Sequence, residues 1–214
     1  MGMGNNKNKD LYFMKIRSKT DTNQRPHFKV EKASKDGNSQ PMEDVTYVNG
    51  KVKDIETGFY EWDGDTIKTF KIVLVDKEEM YYIDSSYTSL GRSILNCLAN
   101  VGTDGTTPGE FRISLYTSKK GYASVWIEND GKSTGFKWPW DELKQYISVY
   151  TNKNGKEENN YTKLDEFYEA KIKEEIAPFF RDNYSEPMEP TDIVDEHPPL
   201  PEAVMDEDIS DLPF

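Results

Sequence analysis

The chain has 214 residues, 27 Lys+Arg against 39 Asp+Glu (net charge −12), and 35% hydrophobic but 13% aromatic residues. One Cys and two His exclude an internal disulfide framework and argue against a Cys/His zinc site, so no metal or cofactor is expected. No run approaches the roughly 18 apolar residues that span a bilayer. The start, Met1 to Lys7, has no signal-peptide core, and Asn6 fails the myristoylation pattern. The expectation is a soluble intracellular protein without membrane association.

In chain order, residues 1–44 read as an N-terminal extension. Residues 1–25 are polar and loose apart from Leu11-Tyr12-Phe13-Met14, His27 to Ala33 suits a strand, and 34–44 reads as a loop. Val45 to Glu56 is rich in β-branched residues, with Gly50 as a bulge or sharp bend. Ile67 to Asp76 alternates, with Phe70, Ile72 and Leu74 on one face. Met80 to Asp84 makes a third strand. Ser89 to Asn100 changes period: Leu90, Ile94, Leu95 and Leu98 fall at helical spacing, and Gly102 follows as a stop. Phe111 to Thr117 and Tyr122 to Glu128 are two further strands, joined by a tight basic hairpin, Ser118-Lys119-Lys120-Gly121. Three strands, a helix and two strands is the order of an OB-fold, a five-stranded barrel with a helix between strands three and four, here over residues 45–135. Residues 136–181 form a helical appendage: a short helical pattern from Asp141 to Ser148, a polar loop from Thr151 to Asn160, and an amphipathic helix from Leu164 to Ala177 ended by Pro178. Cys97 lies in the apolar helix and reads as a small core residue.

Alternation assigns the barrel's outer surface. With Val48 and Val52 inside, Tyr47, Lys51 and Lys53 face out. With Phe111, Ile113 and Leu115 inside, Arg112 and Tyr116 face out. With Ala123, Val125 and Ile127 inside, Tyr122 and Trp126 face out. Lys71 joins them, Lys119 and Lys120 sit at the hairpin tip, and the loop between the first two strands adds Phe59, Tyr60 and Trp62. Aromatics interleaved with cations suit single-stranded nucleic acid. Each base stacked on a ring contributes about 1–3 kcal/mol, and cations neutralise phosphates.

The charge is unevenly placed. Eleven acids and no Lys or Arg lie in 182–214, so residues 1–181 are near neutral, with 27 basic against 28 acidic residues. Six of the eleven prolines are in this stretch, but of the aromatics only Tyr184 and Phe214. Such a segment buries too little apolar surface to offset its ordering entropy, and 182–214 is expected to be a disordered acidic tail. It ends Met205-Asp206-Glu207-Asp208-Ile209-Ser210-Asp211-Leu212-Pro213-Phe214. This resembles the carboxy-terminal tip of bacterial and phage single-stranded DNA-binding proteins: a run of acids, an apolar residue, Pro and a terminal Phe. Ser210 interrupts the acids, and Leu212 stands where Ile is common. The likeness is specific over about ten residues and loose over 45–214, with a phage-type member the better fit. It implies binding to single-stranded DNA in replication, recombination or repair in the host cytoplasm. It also implies recruitment of replication and repair proteins through Asp206, Glu207, Asp208, Ile209, Asp211, Leu212, Pro213 and Phe214.

No catalytic constellation is legible. Thr103 to Gly109 lacks a phosphate-loop signature, and His27 and His197 have no nucleophile to serve. Acids around Asp63, Asp65, Glu78 and Glu79 are explained by turn chemistry. Two alternatives to an ssDNA binder stand: an OB module for protein or oligosaccharide, and a DNA-mimic inhibitor using the acidic tail.

Overall fold

The computed structural model describes residues 9–18, 25–34, 38–103 and 105–186. The tail reading, including Asp206 to Phe214, lies outside them. The expected order over 45–135 is present: β4 (Tyr47–Trp62), β5 (Asp65–Asp76), β6 (Glu79–Ser86), α1 (Ser89–Asn100), β7 (Phe111–Thr117) and β8 (Ala123–Asn129), followed by a short β9 (Lys132–Ser133). Three strands precede them: β1 (Asp10–Arg17), β2 (His27–Ala33) and β3 (Ser39–Pro41). All nine join one sheet in the order β3-β2-β1-β6-β5-β4-β7-β8-β9. The chain is thus mainly β and built on a sheet larger than the strand count read from the sequence.

The start of the chain is the first difference. The apolar patch Leu11–Met14 lies in a region read as loose, yet Asp10–Arg17 is a strand, parallel to β6 and antiparallel to β2. Its aromatic patch explains why. Tyr12 pairs with Tyr81 and Phe13 with Tyr82, and both pairs stack, at 5.2 and 5.9 Å between ring centres. Likewise Ser39–Pro41, read as loop, adds β3 to the edge of β2. Beyond it, Phe28 and Val45 exchange backbone hydrogen bonds (2.7 and 3.1 Å), so β2 also meets the lead-in to β4.

Gly50 is where β4 changes partner. Tyr47 to Gly50 pairs with β7, and Lys51 onward pairs with β5. Its φ of +149° and the backbone oxygen of Val75, 3.0 Å from where a Cβ would stand, require glycine. A register shift at Lys53 follows, so Ile55 and Val52 both reach the core. On β5, Phe70, Ile72 and Leu74 are buried as expected. Val73 and Val75 are buried too, so this strand is covered on both faces.

α1 follows its sequence signals. The Gly91 N–H donates to Thr88 Oγ1 at the N-cap, and Leu90, Ile94, Leu95 and Leu98 are buried. Cys97 is buried as well, and that burial pushes its thiol up to about 11.

In the appendage, the pattern from Asp141 resolves into α2 (Trp140–Leu143) and a 3-10 turn, Lys144–Tyr146. The expected loop is a hairpin of β10 (Ser148–Thr151) and β11 (Glu157–Asn160). The last helix does not stop at Pro178. It runs as α3 (Thr162–Lys171), a π turn (Ile172–Ile176) and α4 (Ala177–Asn183). The Ala177 N–H donates to Ile172 O across the wider turn. This loosens the helix just where proline's missing N–H and its ring would break a regular ladder. α4 carries Phe180, fully buried with its ring edge on Phe111, and Arg181, whose Nε donates to Asp54 Oδ1 at 2.7 Å. Buried Asn96 pins the appendage to α1: its side chain accepts from the Trp138 N–H (2.9 Å) and donates to the Trp138 carbonyl (2.8 Å).

Candidate nucleic-acid interface

The first half of β4, with β7 and β8, forms a three-stranded face. Its inner positions Val48, Ile113, Leu115 and Ile127 are buried, which fixes which side chains point outward. Pairing then sets the outward residues in rows. Tyr47, Ser114 and Trp126 lie in one row; Asn49, Arg112 and Glu128 in the next; Tyr116 and Ser124 in a third. Tyr47 and Trp126 are thus two strands apart, about 10 Å at the usual strand spacing. Tyr47, Tyr116 and Trp126 are each more than two-fifths exposed. Ser114 sits on the middle strand between the two outer rings.

Arg112 does not stand free in this face. Its guanidinium lies on the Tyr47 ring, 4.2 Å from the centre. Trp126 Nε1 donates to Glu128 Oε1 at 3.2 Å, which ties the indole to its own strand. The face is therefore a preset platform of two rings and a stacked cation. Asn49 and Glu128, overlooked in the sequence reading, add an amide and a carboxylate beside it. The signal was available, since each is two residues from a named aromatic on its own strand.

The remaining candidates divide. Lys119 and Lys120 are exposed at the β7–β8 turn, closed by the Gly121 N–H donating to Ser118 O (2.9 Å), with exposed Tyr122 beside them. They extend the same hairpin. Lys51 and Lys53 instead meet the end of the described chain: the Lys51 ammonium is 3.5 Å from Ser185 O, and that of Lys53 lies over the Tyr184 ring. Lys71 is beyond the switch at Gly50, paired with Glu56 (3.9 Å) and over Tyr82. Tyr60 and Trp62 are not on a loop. β4 runs through them to a two-residue turn at Asp63-Gly64, where both φ values are positive. That turn is at the opposite end of β4 from Tyr47, so these two rings stand apart from the three-stranded face.

A second aromatic surface lies on the appendage. Exposed Phe136 and Trp140 flank a cavity of about 210 Å³ lined also by Trp138, Tyr161 and Arg92. Arg92 is engaged there, bonded to Asp165 (2.8 Å) and lying on the Tyr161 ring. Burial raises the Asp165 carboxyl above its ordinary range against the opposing pull of Arg92. Among the described residues no group of three His, Cys, Asp or Glu could hold a metal ion, and no helix is long and apolar enough to cross a membrane. The chain matches no known protein family, and neither a curated protein nor a solved structure shows significant similarity to it.

Proposed function

We infer that this protein binds and protects single-stranded DNA during replication, recombination or repair, as a non-enzymatic OB-type module of phage character working in the host cytoplasm. The observation that carries the reading is the in-register row of Tyr47, Ser114 and Trp126 with Arg112 stacked beside it. Two exposed rings about 10 Å apart can each take the face of an unpaired base. Arg112, Lys119 and Lys120 supply charge for the phosphates along the same hairpin. The barrel reading rests on strands β4 to β8 with α1 after the third, and on the bridge from Phe28 to Val45 that turns β2 toward β4. The acidic tip from Asp206 to Phe214 supports recruitment of replication and repair proteins: its acids suit a basic partner surface and the Phe214 ring an apolar pocket.

Tryptophan fluorescence titrated with poly-dT tests this. The expected result is quenching whose affinity falls with salt, with a log–log slope near −2 to −3 for about three or four neutralised phosphates. No binding to any single strand would refute it. Removing residues 205–214 is expected to tighten DNA binding at low salt, by freeing the basic hairpin from a competing polyanion, and to abolish partner capture. Unchanged behaviour in both assays would remove the tip's role.

A second reading, a protein-interaction module, is favoured by the cavity between Phe136 and Trp140. It would leave poly-dT unbound. The DNA-mimic alternative rests on the tail alone and makes the same forecast.

A further inference from the structure

The end of the β4–β5 hairpin carries an unusual display. Phe59 and Trp62 are each 71% exposed, and Tyr60 is 50% exposed. Residues 59–67 include three acids, Glu61, Asp63 and Asp65, and no Lys or Arg. The arm is regular to its tip: Phe59 pairs with Lys68, Tyr60 with Ile67 and Trp62 with Asp65. The Thr66 hydroxyl donates to Glu61 Oε1 across it at 2.8 Å. Its rings are thus held in water by a preformed ladder, and little ordering remains to be done on contact. Large apolar groups so displayed mark a contact surface. Three carboxylates repel phosphate, and the cation across from Phe59, Lys68, is engaged by Glu169 at 2.8 Å, so nucleic acid is not the occupant.

The complementary surface is on the same chain. β7 runs antiparallel to β4, with Ser114 opposite Tyr47, so it carries the Ser118–Gly121 turn past the beginning of β4. The acidic arm lies past its end. Lys119 and Lys120 are exposed with no ion pair among the described residues, and Tyr122 beside them is 70% exposed. One strand therefore has an aromatic acidic projection at one end and an aromatic basic projection at the other.

We propose that the arm of one molecule docks on the β7–β8 tip of a second copy, giving a head-to-tail contact. Arm against arm would oppose carboxylates, and tip against tip would oppose ammonium groups; only arm on tip matches both charge and rings. A head-to-tail interface does not close on itself unless its rotation makes a ring, so it builds open chains. With a few rings and paired surface charges the contact is small, weak and screened by salt. It does not require the single-strand reading above.

Sedimentation velocity on the full chain, without nucleic acid, tests it. At low salt the sedimentation coefficient is expected to rise with protein concentration, and about 0.5 M salt to return the protein to monomer. The pair Phe59→Ser and Trp62→Ser is expected to abolish the rise. So is the triple Glu61→Lys, Asp63→Lys and Asp65→Lys, and so is the pair Lys119→Glu and Lys120→Glu. Combining the two charge reversals in one chain restores complementarity with nearly the original net charge, and is expected to restore association. All these positions are exposed, and circular dichroism melting checks that each variant is folded. A wild type monomeric at every concentration overturns the proposal. So do single reversals that associate like wild type, or a folded combined variant that stays monomeric.

Discussion

Two stretches of one strand, β4, carry exposed aromatics with opposite chemistry. Before Gly50, Tyr47 shares a face with Trp126, Tyr116 and Arg112, and the nearest hairpin turn is basic. After it, Phe59, Tyr60 and Trp62 stand among Glu61, Asp63 and Asp65. By composition the two sets are alike, rings beside charges. Sign and spacing separate them: cations and flat rings in register suit a polyanion with bases, whereas rings among carboxylates suit a protein surface bearing cations.

The largest expected effect concerns what both stretches share. Phe180 is fully buried on Phe111 beneath the point where β4 changes partner. Phe180→Ala is expected to cost about 3–5 kcal/mol, read by denaturant unfolding, with both stretches melting in one transition. Separate transitions would show that the two halves of β4 are independent. Next comes the contrast itself. Trp126→Ser is expected to weaken oligothymidylate binding by about 1–3 kcal/mol, roughly five- to 150-fold, and Trp62→Ser to leave it unchanged. Equal losses would merge the two stretches into one surface. Gly50→Ala tests the joint between them. Positive φ and the nearby Val75 oxygen predict a stability loss of about 1–3 kcal/mol by thermal melting. The smallest change is expected from Arg112→Ala, which removes the cation from the Tyr47 ring. It should cost about 0.5–1 kcal/mol of affinity and flatten the salt slope by about 0.7. An unchanged slope would mean that Arg112 serves the ring rather than a phosphate.

The sequence revealed most where a strand has one wet face. β7 and β8 alternate cleanly, and so Tyr47, Arg112, Tyr116 and Trp126 were legible as a set. Parity failed where the backbone steps out of register. Lys51 and Lys53 count as outward like Tyr47, but they lie past Gly50 and at the shift beside it, under Tyr184 and Ser185, whose approach no local pattern announces. Val73, on the face of β5 opposite Phe70, Ile72 and Leu74, is buried because that strand is covered on both faces, which alternation alone does not reveal. β1 was hidden because its partner β6 is remote and its own run is short and mixed with Lys and Arg. Pro178 read as a stop because a π turn ahead of it leaves no mark in composition. The length of β4 was misjudged because Glu61 and Asp63 look like loop residues, although Asp63-Gly64 is itself a strong hairpin signal.

The parallel register of β1 with β6 has a consequence for biosynthesis. β6 begins about 60 residues after β1 ends, so at a ribosomal pace of roughly 5–20 residues per second the first strand leaves the tunnel several seconds before its central neighbour exists. In that interval β2 is the neighbour at hand, and Tyr12 and Phe13 have no rings of β6 to stack on. Completion of the sheet centre is thereby timed by translation of Glu79 to Ser86, and a nascent chain halted before that point keeps an unfinished, adhesive edge.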